Sequence, residues 1–369
     1  MRKKIIQCRW IFMLCVGAVC IYCFPRLIFS QPPKNVDGMF KSWDKNNDGV
    51  LIREEVPFGP RQQFDRIDRN RDGRITLEEH LAHRPPQVDM RERPKLPESV
   101  ARHVIQQTWP QEPDGFDREY FVRLPAHGNR FPIVILLHGN GGMAKSMIGN
   151  WSNQFPQHCI VSPQGYAKSW NISNERSKAP DVAFVISVLN DMAHRYPSAN
   201  QNDISLIGFS NGAGLVYRLL IEGGDIRGIQ NAIAFVSSMT SGQYRERSFW
   251  KRSNESGDMY DTAVIPVGQK NILTIHGTAD TVVPYYGGRG PGGTHLSAQD
   301  TAYAWALAQG FEGSRIPDNE GVSCGQGLVR YEYASARVSH IKIVGGRHGL
   351  GQERNTIETI IRQMLNAKE

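Results

Sequence analysis

Three residue types that cooperate in nucleophilic catalysis stand in short glycine-rich stretches, each directly after an apolar run. Ser210 follows Asp203-Ile-Ser-Leu-Ile207 within Gly208-Phe-Ser-Asn-Gly212; Asp280 follows Asn271-Ile-Leu-Thr-Ile275 within His276-Gly-Thr-Ala-Asp280; His348 follows Val338 to Val344 within Gly345-Gly-Arg-His-Gly349. A serine hydroxyl is a weak nucleophile until a base takes its proton, and an imidazole serves as that base when an acid fixes its tautomer. Ser210, His348 and Asp280 are therefore candidates for nucleophile, base and acid in acyl transfer. A serine between two glycines could equally cap a helix; the other two members are what favour chemistry. The anion formed on attack needs two N–H donors, each worth about 3 kcal/mol. The Asn211 N–H, at the start of a helix, is one candidate. His138-Gly-Asn140-Gly141-Gly142, after the apolar run Phe131 to Leu137, offers the other through Asn140 or Gly141. His138 itself reads as structural.

These loops must hang on strands. Tyr120 to Leu124, Phe131 to Leu137, Cys159 to Ser162, Asp203 to Ile207, Ala232 to Val236, Asn271 to Ile275 and Val338 to Val344 are strand-like, several of them continuously apolar as in a sheet covered on both faces. Helical spacing over Asp181 to Arg195 and the apolar stretch Leu215 to Ile221 alternate with them, which predicts a doubly wound, mostly parallel α/β sheet with ligands at the strand C-termini. The order serine, acid, histidine is the one an α/β-hydrolase requires. Trp170, Tyr285 and Tyr286, the last two beside the glycine-rich segment 287–293, are candidates for stacking on an aromatic acyl group or a sugar, or else pack internally.

Nearer the N-terminus, two twelve-residue loops start at Asp44 and Asp68. Each has side-chain oxygens at positions 1, 3 and 5 (Asp44, Asn46, Asp48; Asp68, Asn70, Asp72), glycine at 6, a backbone carbonyl at 7 (Val50; Arg74) and glutamate at 12 (Glu55; Glu79). A hard cation wanting six to eight oxygens fits this set, and two tandem copies predict two bound Ca²⁺ ions, with Leu51 and Ile75 pairing the loops. The stretch from Asp37 to His83 resembles the EF-hand family. Pro57, Gly59 and Pro60 interrupt the first exiting helix, and this compactness is similar to dockerin modules, which implies a structural clamp or a module with a docking partner.

The basic start Arg2-Lys-Lys4 and the apolar run Trp10 to Phe24 predict an export signal over 1–30, or an uncleaved membrane anchor, and hence a secreted, periplasmic or cell-surface location. The formal charge of +7 owes five cations to this segment, so nucleic-acid binding is not implied. Four of six cysteines also lie there, leaving Cys159 and Cys324 to form a disulfide or stay as two thiols. The expected organisation is a signal at 1–30, an EF-hand pair at 34–84, a proline-rich linker at 85–117 carrying a short helix from Glu98 to Gln107, and a catalytic domain at 118–369.

From Arg118 onward the chain resembles the secreted polyhydroxybutyrate depolymerase and feruloyl esterase family. The likeness rests on His138-Gly-Asn-Gly-Gly, Pro163-Gln-Gly with Ser169-Trp-Asn, Asp181-Val-Ala-Phe-Val, Gly208-Phe-Ser-Asn-Gly, His276-Gly-Thr-Ala-Asp with Val283-Pro-Tyr, and Gly345-Gly-Arg-His. It implies a serine esterase acting on feruloyl or acetyl esters of plant polysaccharide or on polyhydroxyalkanoate esters, with no cofactor for catalysis. Pro180-Asp181 stands where paired aspartates are common, and Leu350-Gly351 where a Trp-Pro pair is common, so substrate transfers less well than fold. The competing expectation is a calcium-dependent binding or surface-attachment protein with a degenerate hydrolase domain.

Overall fold

The computed structural model describes residues 40–41, 43–56, 64–82, 100–173, 175, 177–224, 226, 228–254, 257 and 259–366. The expected export signal, the linker before residue 100 and the proline-interrupted segment 57–63 lie outside the described residues. Among the described residues no helix is long and apolar enough to cross a membrane. The chain divides into two units, Met1–Val88 and Asp89–Glu369.

In the first unit, β1 (Val50–Ile52) pairs antiparallel with β2 (Arg74–Thr76), and Leu51 stands opposite Ile75. Both side chains are buried, with Phe40, Val56, Phe64 and Ile67, the last two on the short helix α1 (Phe64–Ile67); α2 (Leu77–Ala82) follows β2. Gly49 and Gly73 have φ of 83° and 80°, the left-handed turn that position 6 of each loop demands. Among the described residues these six buried side chains make a small core, of the kind that usually depends on a further staple such as a bound metal.

The second unit is built on a ten-stranded sheet. Its strands are β3 (Val100–Trp109), β4 (Glu112–Arg123), β5 (Phe131–Leu137), β6 (Cys159–Pro163), β7 (Ala199–Phe209), β8 (Ile229–Phe235), β12 (Asn271–Gly277), β15 (Val322–Gly325), β16 (Leu328–Tyr333) and β17 (Val338–Ile343). A separate small sheet holds β9 (Tyr244–Arg245), β10 (Ser248–Arg252) and β11 (Tyr260–Val264), and β13 (Gly288–Gly290) pairs with β14 (Gly293–His295). The large sheet runs β15-β16-β17-β12-β8-β7-β5-β6-β4-β3. The six strands from β17 to β6 are parallel, with an antiparallel pair added at each edge.

Alternation along the parallel strands explains their unbroken apolar sequence. In β5, Ile133, Ile135 and Leu137 join the core beneath α4 (Asp181–Arg195), α5 (Asn211–Glu222) and α6 (Ala298–Ala308). Val134 and Leu136 join the opposite core, under α3 (Ala144–Trp151) and α7 (Arg354–Asn366). Both faces are dry, as a parallel sheet requires. The fold is that of an α/β-hydrolase, with a small EF-hand-like unit ahead of it.

One expectation is corrected, and the alternative left open for the cysteines is decided. Of the helix expected from Glu98 to Gln107, the described residues form a strand instead: Val100–Trp109 lies at one edge of the sheet, and the hairpin it makes with β4 belongs to that sheet, so this unit begins before residue 118. Val100, Val104, Ile105 and Thr108 are β-branched and favour a strand, while Arg102 and Gln106 point to water because an edge hairpin is half exposed. Cys159 and Cys324 are free thiols, on strands far apart in the sheet order.

A buried ion pair ties this hairpin to the segment before α4. Arg118 on β4 reaches Asp181, the first residue of α4, at 2.6 Å with both side chains fully buried, and the guanidinium lies 3.9 Å over the Phe184 ring. The other Asp181 oxygen accepts the Asn171 N–H at 2.6 Å. Asn171 is in turn a hub: its Nδ2 donates to the Ala179 carbonyl, its Oδ1 accepts from Arg252 at 3.1 Å, and its carbonyl accepts from Arg218. Asp181→Ala would strand the Arg118 charge in a dry site, and is expected to cost about 3–5 kcal/mol in urea unfolding; Asp181→Leu combined with Arg118→Met should cost clearly less.

Candidate active site

Ser210 alone separates β7 from α5. Ser210 has φ 51° and ψ −113°, a conformation that costs about 1–3 kcal/mol and persists only when its surroundings enforce it. Its N–H donates to the Phe235 carbonyl at 2.9 Å, and its carbonyl accepts from Ala213 and Gly214 at 3.0 and 3.1 Å. A Cβ on Gly208 would lie 2.4 Å from the Gly212 carbonyl oxygen, and one on Gly212 would lie 2.3 Å from that of Leu137. Only glycine lets strand, helix and the neighbouring β5 meet there.

The other two candidates arrive on loops that are zipped together. Thr278 N–H donates to the Ile343 carbonyl at 3.0 Å, Ala279 N–H to that of Gly346 at 2.8 Å, and Gly345 N–H to Thr278 Oγ1 at 2.8 Å. These bonds set Asp280 beside His348. His348 Nδ1 lies 2.7 Å from Asp280 Oδ2, and its Nε2 lies 2.8 Å from Ser210 Oγ. A carboxylate only accepts, so the Nδ1 proton is donated to Asp280 and Nε2 is left to accept from the serine hydroxyl. Asp280 is fully buried whereas His348 is 24% exposed. Burial opposes the Asp280 charge, but hydrogen bonds from His276 and His348 and from the Val282 N–H outweigh it and hold the carboxyl well below its ordinary range.

The β5 loop abuts the serine, since a Cβ on Gly139 would lie 3.6 Å from Ser210 Cβ. Of its two candidate donors, Gly141 is corrected: its N–H is already given to the Lys168 carbonyl at 2.8 Å, which leaves the Asn140 N–H as the remaining candidate. His138 braces this loop. Its Nδ1 donates to the Gly139 carbonyl at 2.8 Å, its Nε2 accepts from Gly165 N–H at 2.9 Å, and burial holds its pKa below the usual value. The Asn211 side chain grips Trp170 twice, accepting from its N–H at 2.7 Å and donating to its carbonyl at 3.0 Å. Sequence reasoning missed this clamp, and Asn171 with it, because their partners are remote in the chain.

Two candidate substrate aromatics are corrected. Trp170 has 0% exposure and donates its indole N–H to the His138 carbonyl at 2.8 Å, so it is a strut of the loop. Tyr285, at 2% exposure, bonds His340 Nε2 at 3.0 Å. Tyr286 stands 70% exposed against the Tyr285 ring. A hollow of about 300 Å³ is lined by Met147, Asn150, Trp151, Phe209, Leu350 and Arg354; Phe209 immediately precedes Ser210 and Leu350 follows His348 by two residues. A larger cavity of about 830 Å³, between the small sheet and α6, contains no member of the triad.

The two acidic loops match bond for bond. Asp44 accepts from the N–H groups of Asp48 and Gly49 at 3.2 and 3.0 Å, and Asp68 from those of Asp72 and Gly73 at 3.2 and 2.9 Å. Asn46 and Asn70 each accept from the aspartate two residues on, at 2.9 Å. Glu55 turns back to the N–H of Ile52, and Glu79 to that of Thr76, whose bond is the main cause of the lowered Glu79 pKa. Among the described residues no three His, Cys, Asp or Glu side chains converge as a metal site. The donor set here also draws on asparagine and on the Val50 and Arg74 carbonyls, and these oxygens, ranged around a left-handed glycine, fit a hard cation.

An EF-hand family model matches residues 61–79, which hold the whole of the second loop. No curated protein matches the sequence. Solved structures similar to this chain include an acetyl xylan esterase from Aspergillus awamori (12% identity, 70% of this chain and 98% of that one, TM-score 0.49) and a Bacillus cereus carboxylesterase (13%, 67% and 94%, 0.41). Another is a poly(aspartic acid) hydrolase-1 from Sphingomonas sp. KT-1 (16%, 72% and 98%, 0.44). Likenesses of this degree assign no substrate. Gly212→Ala, whose new methyl meets backbone rather than a movable side chain, is expected to lower stability by about 1–3 kcal/mol in urea unfolding and to slow labelling of Ser210 by a fluorophosphonate.

Proposed function

We propose that this chain is an exported serine esterase that cleaves carboxylic esters through Ser210, His348 and Asp280, with a calcium-binding EF-hand module ahead of the catalytic unit. The observation that carries the reading is the pair of contacts made by His348, 2.8 Å to Ser210 Oγ and 2.7 Å to Asp280 Oδ2. His348 takes the hydroxyl proton as Ser210 attacks the ester carbonyl, while Asp280 holds the imidazole in the tautomer that keeps Nε2 free to accept. The N–H groups of Asn211 and Asn140 receive the negative oxygen. Collapse expels the alcohol, which takes the proton back from His348, and water repeats the sequence to release the acid. No cofactor enters these steps.

The hollow beside Phe209 and Leu350 suits an ester with a compact apolar part, and exposed Tyr286 offers a face to a ring. Feruloyl or acetyl esters on plant polysaccharide and polyhydroxyalkanoate oligomers are the proposed substrates, to be separated by assaying feruloylated xylan, acetylated xylan and hydroxybutyrate oligomers side by side. Asp44, Asn46, Asp48, Val50 and Glu55 would hold one Ca²⁺ and Asp68, Asn70, Asp72, Arg74 and Glu79 a second, each ion neutralising clustered carboxylates and bracing the small core.

Ser210→Ala is expected to lower kcat on short p-nitrophenyl esters at least ~10⁴-fold with the circular dichroism spectrum unchanged; retained turnover, or a wild-type enzyme that no fluorophosphonate labels, would favour a binding protein instead. Titration calorimetry with Ca²⁺ is expected to give two ions per chain. Asp48→Ala and Asp72→Ala should each remove one ion and with it the rise in unfolding temperature that Ca²⁺ confers.

A further inference from the structure

His276 lies near the end of β12 with a fully buried side chain, and the reaction as written gives it nothing to do. Its Nε2 is 3.0 Å from Asp280 Oδ2 and 3.0 Å from the Val283 carbonyl oxygen. Both neighbours are acceptors, so Nε2 must carry a hydrogen. Nδ1 is buried without a hydrogen-bond partner, a position tolerable for a lone pair and more costly for an N–H. One ring nitrogen therefore donates and the other is bare.

The Asp280 carboxylate divides its bonds accordingly. Oδ1 accepts from the N–H groups of Val282 and Val283 at 2.8 and 3.0 Å. Oδ2 is shared by two imidazoles, His348 at 2.7 Å and His276 at 3.0 Å. An oxygen with two lone pairs can serve both at once. We infer that His276 is a positioning residue for the triad acid: its Nε2–H pins the oxygen that orients His348 and tempers how tightly that oxygen holds the charged ring. The inference rests on the esterase reading of Ser210, Asp280 and His348.

A histidine that merely stapled the turn 280–283 would be satisfied by the Val283 carbonyl alone; the bond to Oδ2 connects it to the base. The neighbouring titratable groups leave this effect readable. Tyr285 packs its ring edge-on against His276 at 5.7 Å, and behind it His340 is bonded to Thr274 Oγ1 and the Tyr285 hydroxyl. Burial, helped by the nearby His276 and Lys342, pushes His340 down to about 3, so it does not titrate in the working range. Lys342 is paired with Asp318 at 3.0 Å, and Arg347, next to His348 in the chain, is exposed.

The test compares His276→Phe, which keeps a ring and removes the donor, with His276→Gln, whose Nε2 can replace it. Rates are counted per fluorophosphonate-reactive serine. His276→Phe is expected to lower kcat on short p-nitrophenyl esters roughly tenfold to a hundredfold, as loss of an outer-shell orienting bond does, with KM changed less than about twofold. Its acid limb of kcat/KM should move up by about half a pH unit, because a carboxylate relieved of one donor stabilises the charged imidazole more strongly. His276→Gln should restore the limb and most of kcat. An unmoved limb with kcat per site unchanged would overturn the inference and leave His276 a staple. Should the Phe variant fail to fold, His276→Leu is read for the same limb and kcat per site, and ¹⁵N-histidine NMR of the wild-type protein checks the premise: a proton on His276 Nδ1 overturns the inference. Wild-type protein that no fluorophosphonate labels would sink the esterase reading itself, while the NMR result would still report the His276 bond.

Discussion

At Gly208, Ser210 and Gly212, strand, helix and the adjacent β5 approach so closely that a single methyl would land about a bond length and a half from a carbonyl oxygen. This crowding holds Ser210 at positive φ, which a free chain would leave at once, and lifts its hydroxyl above the sheet. The loops after β5, β12 and β17 are then built around a fixed point. Their own bonds run between loops: Thr278 and Ala279 to Ile343 and Gly346, Gly141 to Lys168, His138 to Gly165. The candidate site is in this sense a backbone construction, on which three side chains are hung.

Polar groups buried beneath it hold its shape. Asn171 joins Asp181, Arg218 and Arg252, and Asn211 clamps Trp170, so the segment between β6 and α4 is fixed by hydrogen bonds as well as by the apolar packing of Trp170 and Ile172. Arg252 sits in a dry place, and burial, followed by the neighbouring Arg218, pulls its pKa below the ordinary value. Such charges are stable only as a connected set, because removing one partner leaves another unsatisfied out of reach of water.

The parallel core and the meeting of Ser210, Asp280 and His348 are legible because their signals are local: an apolar run, then glycine, then the candidate residue. The edge hairpin is not, since a strand with one wet face spaces its polar residues Arg102 and Gln106 four apart, as a helix does. Trp170 and Tyr285 misled for a different reason. An aromatic beside a glycine-rich loop has the same sequence whether its face meets a ligand or the underside of the loop, and only the partners, His138 and His340, distinguish the two. Gly141 likewise has an N–H in the right neighbourhood, spent on a carbonyl that no spacing rule locates.

The edge hairpin bears on how the α/β unit can be handled in isolation. A chain begun at Arg118, where the hydrolase-like motifs start, would discard β3 and half of β4. The Arg118 charge would lose Gln107, and a freshly bared row of amides and carbonyls along β4 would invite strand-to-strand association between molecules. The ten residues from Val100 to Trp109 thus form the border of the sheet on this side, and a fragment meant to hold the α/β unit has to begin ahead of them.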